Sequence, residues 1–189
     1  MAEEVNARKI PGVKCVAEDF RTWQPAEKFD AVISICMMDH LCSPQEARDG
    51  KALDIYRNYF KKVHEITNAG AHFGLQVILR NRTPRRGKDL EDIFWVTHNI
   101  FPGGLNPRME EIIQAVNPYF EVMQVASRRE HYGKTTGEWL RRLHLNEKTI
   151  VAKWGEKLFN DYDRYLSTCV MAFDKHYSSL AQYELRRID

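Results

Sequence analysis

The chain has 189 residues, enough for one domain with its own core and too few for two of ordinary size. Its formal net charge is +2, from 28 basic and 26 acidic residues, which excludes a dedicated nucleic-acid binder, whose footprint is a strongly basic face. No apolar run approaches the roughly 20 residues of a membrane-spanning helix. MAEEVNARKIPG, at the N-terminus, has neither the apolar core nor the flanks of a signal peptide, so a cytoplasmic location is expected.

In chain order, residues 1–8 are polar and compatible with a helix. Val13–Val16 reads as a short strand between Pro11-Gly12 and Glu18-Asp19. The stretch FDAVISICMMDHL, Phe29 to Leu41, is the most informative. Its continuous apolar run, Ala31–Cys36, predicts a strand buried on both faces, as in a parallel sheet. Asp39 and His40 follow at its carboxyl end, where α/β sheets bind their ligands. Ala47–Thr67 carries helical spacing, with Ala52, Ile55, Tyr56, Tyr59, Phe60, Val63 and Ile66 on one face, and Asn68-Ala-Gly70 is expected to end that helix. Phe73–Leu79 is a further strand and residues 80–88 a basic loop. Leu90–Asn99 is a short helix, Phe101–Pro107 a turn-rich loop, Met109–Val116 a helix and Tyr119–Ala126 a strand. From Thr135 the chain turns helical, with Val151, Trp154, Leu158, Tyr162, Tyr165, Cys169 and Phe173 in i, i+3/i+4 rhythm. Ala181–Ile188 reads as a closing strand. Strands alternating with helices predict an α/β fold with a mostly parallel sheet, in one domain over residues 1–189.

The four cysteines, Cys15, Cys36, Cys42 and Cys169, form no CxxC pair, and no clustered ligands point to a metal. Cys15 and Cys36 lie in apolar runs and are expected to be buried, reduced thiols.

Several segments coincide with one family. VAEDFRTW (16–23), FDAVISICMMDHL, NYFKKVHEI (58–66), IFPGGLNP (100–107), HYGKTTGEWLRRL (131–143) and YLSTCVMAF (165–173) occur in this order along nearly the whole chain. Together they resemble the cyclopropane-fatty-acid synthase family of S-adenosylmethionine-dependent methyltransferases, which includes the mycolic-acid cyclopropane synthases. The resemblance implies a class I methyltransferase (Rossmann-like) sheet with a helical insertion before the last strand. It implies S-adenosyl-L-methionine as cofactor and a lipid or other small-molecule substrate, with at most peripheral membrane contact. Family members also carry an earlier glycine-rich loop for the cofactor, and no GxGxG occurs in this chain. The expectation is an N-terminally truncated domain, the C-terminal two-thirds of the family's. Its exposed central edge would make the isolated chain poorly soluble, or favour a homo-oligomer or a partner chain that completes the sheet.

The resemblance assigns roles residue by residue. Asp39 corresponds to an active-site glutamate that helps hold a bicarbonate base, and read from its residue type alone it is equally a helix N-cap. His40 is either a proton relay or a structural histidine bonded to backbone. Gln76 stands where cyclopropane synthases have a bicarbonate-contacting histidine, and Ile78 matches an isoleucine whose backbone contributes to the same cradle. A neutral amide does not carry a proton as His does, which puts the bicarbonate mechanism in doubt. Tyr132 matches the family's active-site tyrosine, and Trp139 is expected to pack. Asp19 and Phe20 match the adenine contacts, and Ile35 an apolar residue that flanks the cofactor. The functions these imply are a methyltransferase in which plain C-methylation is favoured over cyclopropanation, a non-catalytic fragment or pseudoenzyme subunit, and a small-molecule N-methyltransferase. The basic loop, with Arg80, Arg82, Arg85, Arg86 and Lys88, reads as a solvated loop or as a contact for phosphate or carboxylate.

Overall fold

A computed structural model describes residues 2–189. After the short helix α1 (Ala2–Ala7), strand β1 (Phe29–Ile35) runs into a 3-10 turn (Met38–His40), then α2 (Pro44–Arg48) and α3 (Ala52–Glu65). Strand β2 (Thr67–Arg80) follows, then α4 (Lys88–Asn99), α5 (Met109–Val116) and β3 (Phe120–Ser127). Three helices, α6 (Arg129–Leu145), α7 (Glu147–Trp154) and α8 (Glu156–Asp174), precede the final strand β4 (Ser178–Arg187).

The described residues form one sheet in the order β1-β2-β4-β3. β1 pairs parallel with β2, and β4 runs antiparallel to both β2 and β3. Three strands therefore point one way. The expected mostly parallel sheet is corrected to a mixed one, because β4 enters between β2 and β3 from the opposite end.

The core lies on one face of this sheet. Phe73, Leu75, Val77 and Leu79 of β2, with Tyr183 and Leu185 of β4, pack on Tyr56, Tyr59, Phe60 and Val63 of α3 and on Ile112 and Val116 of α5. Aromatic rings tie the layers: Phe60 and Phe73 lie 6.2 Å apart, Phe73 and Phe120 5.5 Å. Each such pair contributes about 0.5–1.5 kcal/mol beyond its buried area.

The other face of β1 and its outer edge are open. Ile33 is 78% and Ile35 65% exposed, so the expectation that the strand is buried on both faces is corrected. The cause is position: β1 is the sheet's edge and has a neighbour on one side only. This is the bare edge expected from the resemblance.

Other boundaries moved for local reasons. Val13–Val16 is not a strand, since no strand lies beside it among the described residues. The Asn6 side-chain amide instead bonds both the N–H and the C=O of Cys15, each at 2.8 Å. The helix expected over 47–67 is two helices. Ser43 and Glu46 form a capping box that starts α2, and Gly50, at φ 76°, breaks the path before α3. Asn68–Gly70 does not end a helix but belongs to β2, where the register with β1 slips between Phe29 and Ala31 and Gly70 takes φ 71°. Gly155, at φ 91°, separates α7 from α8. The stripe is consequently exposed at Trp154, Leu158 and Tyr162 and buried at Phe173, and α8 buries Phe159, Leu166 and Ala172 beside it. Of the cysteines only Cys42 is fully buried, and all four are free thiols. No helix among the described residues is long and apolar enough to cross a membrane.

Candidate active site

β1 leaves the sheet at Cys36, whose backbone takes the left-handed conformation (φ 53°) while its N–H still donates to Gln76 O at 2.9 Å. The chain then closes a 3-10 turn between two fully buried anchors, Met38 and Cys42. This turn carries Asp39 inward, 4% exposed, and leaves His40 at the surface. Asp39 is therefore not a helix N-cap. Its Oδ1 accepts the backbone N–H of Ile78, on the neighbouring strand, at 3.0 Å.

Burial pushes the Asp39 carboxyl up to about 7, against the opposing pull of the Ile78 N–H and the Cys36 thiol. Loss of hydration disfavours the anion more than these donors favour it. The Cys36 thiol is itself pushed up, first by burial and then by Asp39. Tyr132, on the first turn of α6, has its phenol pushed up by burial, then by Cys36, Cys169 and Asp39. Asp39, Cys36, Gln76 and Ile78 thus meet at the carboxyl end of the parallel pair, with Tyr132 within electrostatic reach of Cys36 and Asp39.

Aromatic rings gather around Tyr132 and His40. Tyr132 edges against Phe173 at 5.3 Å and Trp139 at 6.0 Å. Phe101 lies between His40, at 5.7 Å, and Tyr165, at 5.6 Å. Gly104 closes the loop over the turn, and a Cβ there would stand 3.3 Å from both Asp39 O and His40 Nδ1. Trp139 packs on Tyr132 but remains 43% exposed.

Of the cofactor positions expected from sequence, Ile35 adjoins this group, next to Cys36 and opposite Gln76. Asp19 lies in a turn, where Arg21 donates to both of its carboxylate oxygens and holds it down at about 2. Phe20 leans on Tyr59 at 5.4 Å. Ile35 lies on the bare edge. In the basic loop, Arg80 bonds Asn106 O and Arg82 bonds Lys175 O, which brace the loop against the body, while Lys88 pairs with Asp92 at 2.8 Å within α4.

Sequence reading missed Cys36, Phe101, Gly104, Tyr165 and Gln182 as members of the site. Gln182 faces Gln76 only because β4 inserts beside β2 with these two residues in register. Cys36 was legible in principle, as the residue at which a strand must turn.

The mycolic acid cyclopropane synthetase family model matches residues 4–183. The chain belongs to this family. Among curated relatives it is similar to the S-adenosylmethionine-dependent methyltransferase UmaA of Mycobacterium tuberculosis, 25% identical over 95% of this chain and 63% of the relative. It is also similar to the cyclopropane-fatty-acyl-phospholipid synthase of Escherichia coli, 25% identical over 85% of this chain and 38% of the relative. Among solved structures, the cyclopropane synthase MmaA2 of M. tuberculosis superposes with a TM-score of 0.84 at 21% identity, covering 98% of this chain and 66% of that one. The fold is therefore that of the family's class I methyltransferase domain. The chain spans less than two thirds of the length of these relatives.

Proposed function

We propose that this chain carries the acceptor half of an S-adenosylmethionine-dependent methyltransferase, acting at carbon on a lipid or natural product. One observation carries the reading. A buried carboxyl poised near neutrality is held at the carboxyl end of the parallel strands, within electrostatic reach of the Tyr132 phenol and next to His40, which packs on Phe101. UmaA is an S-adenosylmethionine-dependent methyltransferase by name, and the synthase CmaA1, of TM-score 0.80, was crystallised with SAH and CTAB.

The residues present fit the reactive end of that cofactor. The lack of a Cβ at Gly104 lets its loop lie close over the Asp39–His40 turn, and the groups gathered there suit a cation: a carboxylate, a phenol and ring faces. S-adenosylmethionine, once bound, would supply an electrophilic methyl group, its methyl–sulfur bond breaking to leave S-adenosylhomocysteine. When an acceptor alkene carbon forms the new carbon–carbon bond, positive charge develops on the substrate, where Asp39 and the ring faces stabilise it. The proton then lost from the adjoining carbon passes to the Asp39 carboxylate, restoring a double bond. Loss at the adjoining carbon gives plain methylation; loss from the new methyl would close a ring. Tyr132 donates its hydroxyl toward the acceptor, and His40, packed on Phe101 and Gly104, shapes the rim.

Asp39 acts here without bicarbonate. The Ile78 N–H that would help cradle a separate anion is committed to Asp39 Oδ1, and Gln76 is neutral. Activity independent of added bicarbonate supports this; a strict requirement for it overturns it. A second reading, a subunit without catalysis of its own, draws on the bare β1 edge and the lack of a glycine-rich loop in the 189 residues. Calorimetry with S-adenosylmethionine bears on the two: micromolar binding by this chain counts against the second reading, and a silent titration leaves catalysis dependent on sequence outside these 189 residues.

A further inference from the structure

A line of side chains runs from the surface to Asp39, and its direction is set at the outer end. Arg128 Nε donates to Gln182 Oε1 at 3.2 Å. A guanidinium has no acceptor, so Gln182 must turn its oxygen to Arg128 and its Nε2 to Gln76 Oε1, 2.8 Å away. Gln76 is then left with its Nε2 facing Cys36 Sγ, at 3.7 Å. The sulfur accepts from that amide, which leaves its own hydrogen for the Asp39 carboxylate, three residues on in the turn that follows. The backbone supports the arrangement: Gln76 and Gln182 are cross-strand partners, and the Cys36 N–H bonds Gln76 O.

We propose that Arg128 and Gln182, outside the reacting groups, are positioning residues: through Gln76 they fix which way the Cys36 thiol points, and so which donors face Asp39. The inference builds on the reading of Asp39 as the base. The titratable groups around Asp39 are Cys36 and His40 on its own segment, Tyr59 from α3, Tyr132 from α6 and, behind Tyr132, Cys169 from α8. None of these is altered by a change at Gln182, which lies exposed on β4.

Gln182→Glu tests the direction of the line. A carboxylate only accepts, so it keeps Arg128 but draws Gln76 Nε2 toward itself. Gln76 Oε1 then faces Cys36, and the thiol donates to Gln76 instead of Asp39. The readout is the Asp39 carboxyl carbon signal in protein labelled with carboxyl-carbon-13 aspartate, assigned by its loss in Asp39→Asn and followed against pH. It requires neither cofactor nor substrate. The midpoint is expected to rise by about one pH unit in Gln182→Glu, the size of one hydrogen bond to a charged group. A smaller rise is expected in Gln182→Met, which has no amide to orient Gln76. At about 1 M salt, where surface charge is screened, the rise in Gln182→Glu should persist. Midpoints unchanged in both variants overturn the proposal, as does a rise in Gln182→Glu alone that salt abolishes. The shifts between variants test the line whatever the wild-type midpoint. A wild-type midpoint at an ordinary carboxylate value speaks instead against Asp39 as the base.

Discussion

Replacing Asp39 by Asn should remove activity and stabilise the fold at alkaline pH. The carboxyl sits at about 7 in the folded chain against 3.8 for the free group. Below about pH 4 it is protonated in both states, and its contribution to stability is fully present. As pH rises from there to about 7, the unfolded chain ionises freely and the folded chain does not, so stability is lost. A gap of about 3 units at 1.36 kcal/mol each sets a ceiling of about 4 kcal/mol. Asn keeps the size and still accepts the Ile78 N–H, but it cannot ionise. Between about pH 5 and about pH 8, the advantage of Asp39→Asn over wild type should therefore grow by about 2–3 kcal/mol. In a domain of this size that is a widening of roughly 4–12 °C in melting temperature. Thermal unfolding followed by circular dichroism at a series of pH values reads this directly, and other titrating groups cancel in the difference. A gap between the two proteins that stays constant with pH would refute the reasoning, because it would mean that Asp39 ionises in the fold as it does in water.

Gly104→Ala places a methyl group 3.3 Å from Asp39 O and His40 Nδ1; a displacement of a few tenths of an ångström in the catalytic turn should lower kcat roughly tenfold, with the melting temperature nearly unchanged. Tyr132→Phe keeps the ring against Phe173 and should cost about 10- to 100-fold in kcat/KM; unaltered kinetics would remove the phenol from the mechanism. Lysines at Ile33 and Ile35, on the open edge of β1, should reduce self-association measured by light scattering, since charge on an edge opposes strand pairing. If association persists, the contact lies elsewhere.

The sequence carried the elements whose physics is local. Met109–Val116 has the predicted bounds because its apolar spacing is complete within eight residues, and the core face of α3 was readable from its period. The bare edge of β1 was legible only through the resemblance, because an apolar run reads the same whether a neighbour is present or not. Val13–Val16 failed for the same reason: a strand is a property of a pair, and its partner is not beside it. The place of β4 between β2 and β3 is a matter of topology, which residue patterns do not encode. With that place unknown, Gln182 could not be seen opposite Gln76. Asp39 was legible by position at a strand end, but its depth depends on Met38 and Cys42 anchoring the turn. Asp19 looked available in sequence, and Arg21 two residues on was not recognised as its partner.

Transfer of labelled methyl groups tests the central claim most directly. The protein isolated from its own cells, and its Asp39→Ala variant, are incubated with methyl-labelled S-adenosylmethionine and an unsaturated lipid. Methylation and cyclopropanation both add one CH2 unit, so the product is then hydrogenated under mild conditions: a methylated alkene takes up hydrogen and a cyclopropane does not. The expected result is label in a lipid that still takes up hydrogen, formed by wild type and not by the variant. No transfer, or equal transfer by both proteins, would contradict a carboxylate-assisted methyl transfer at this site.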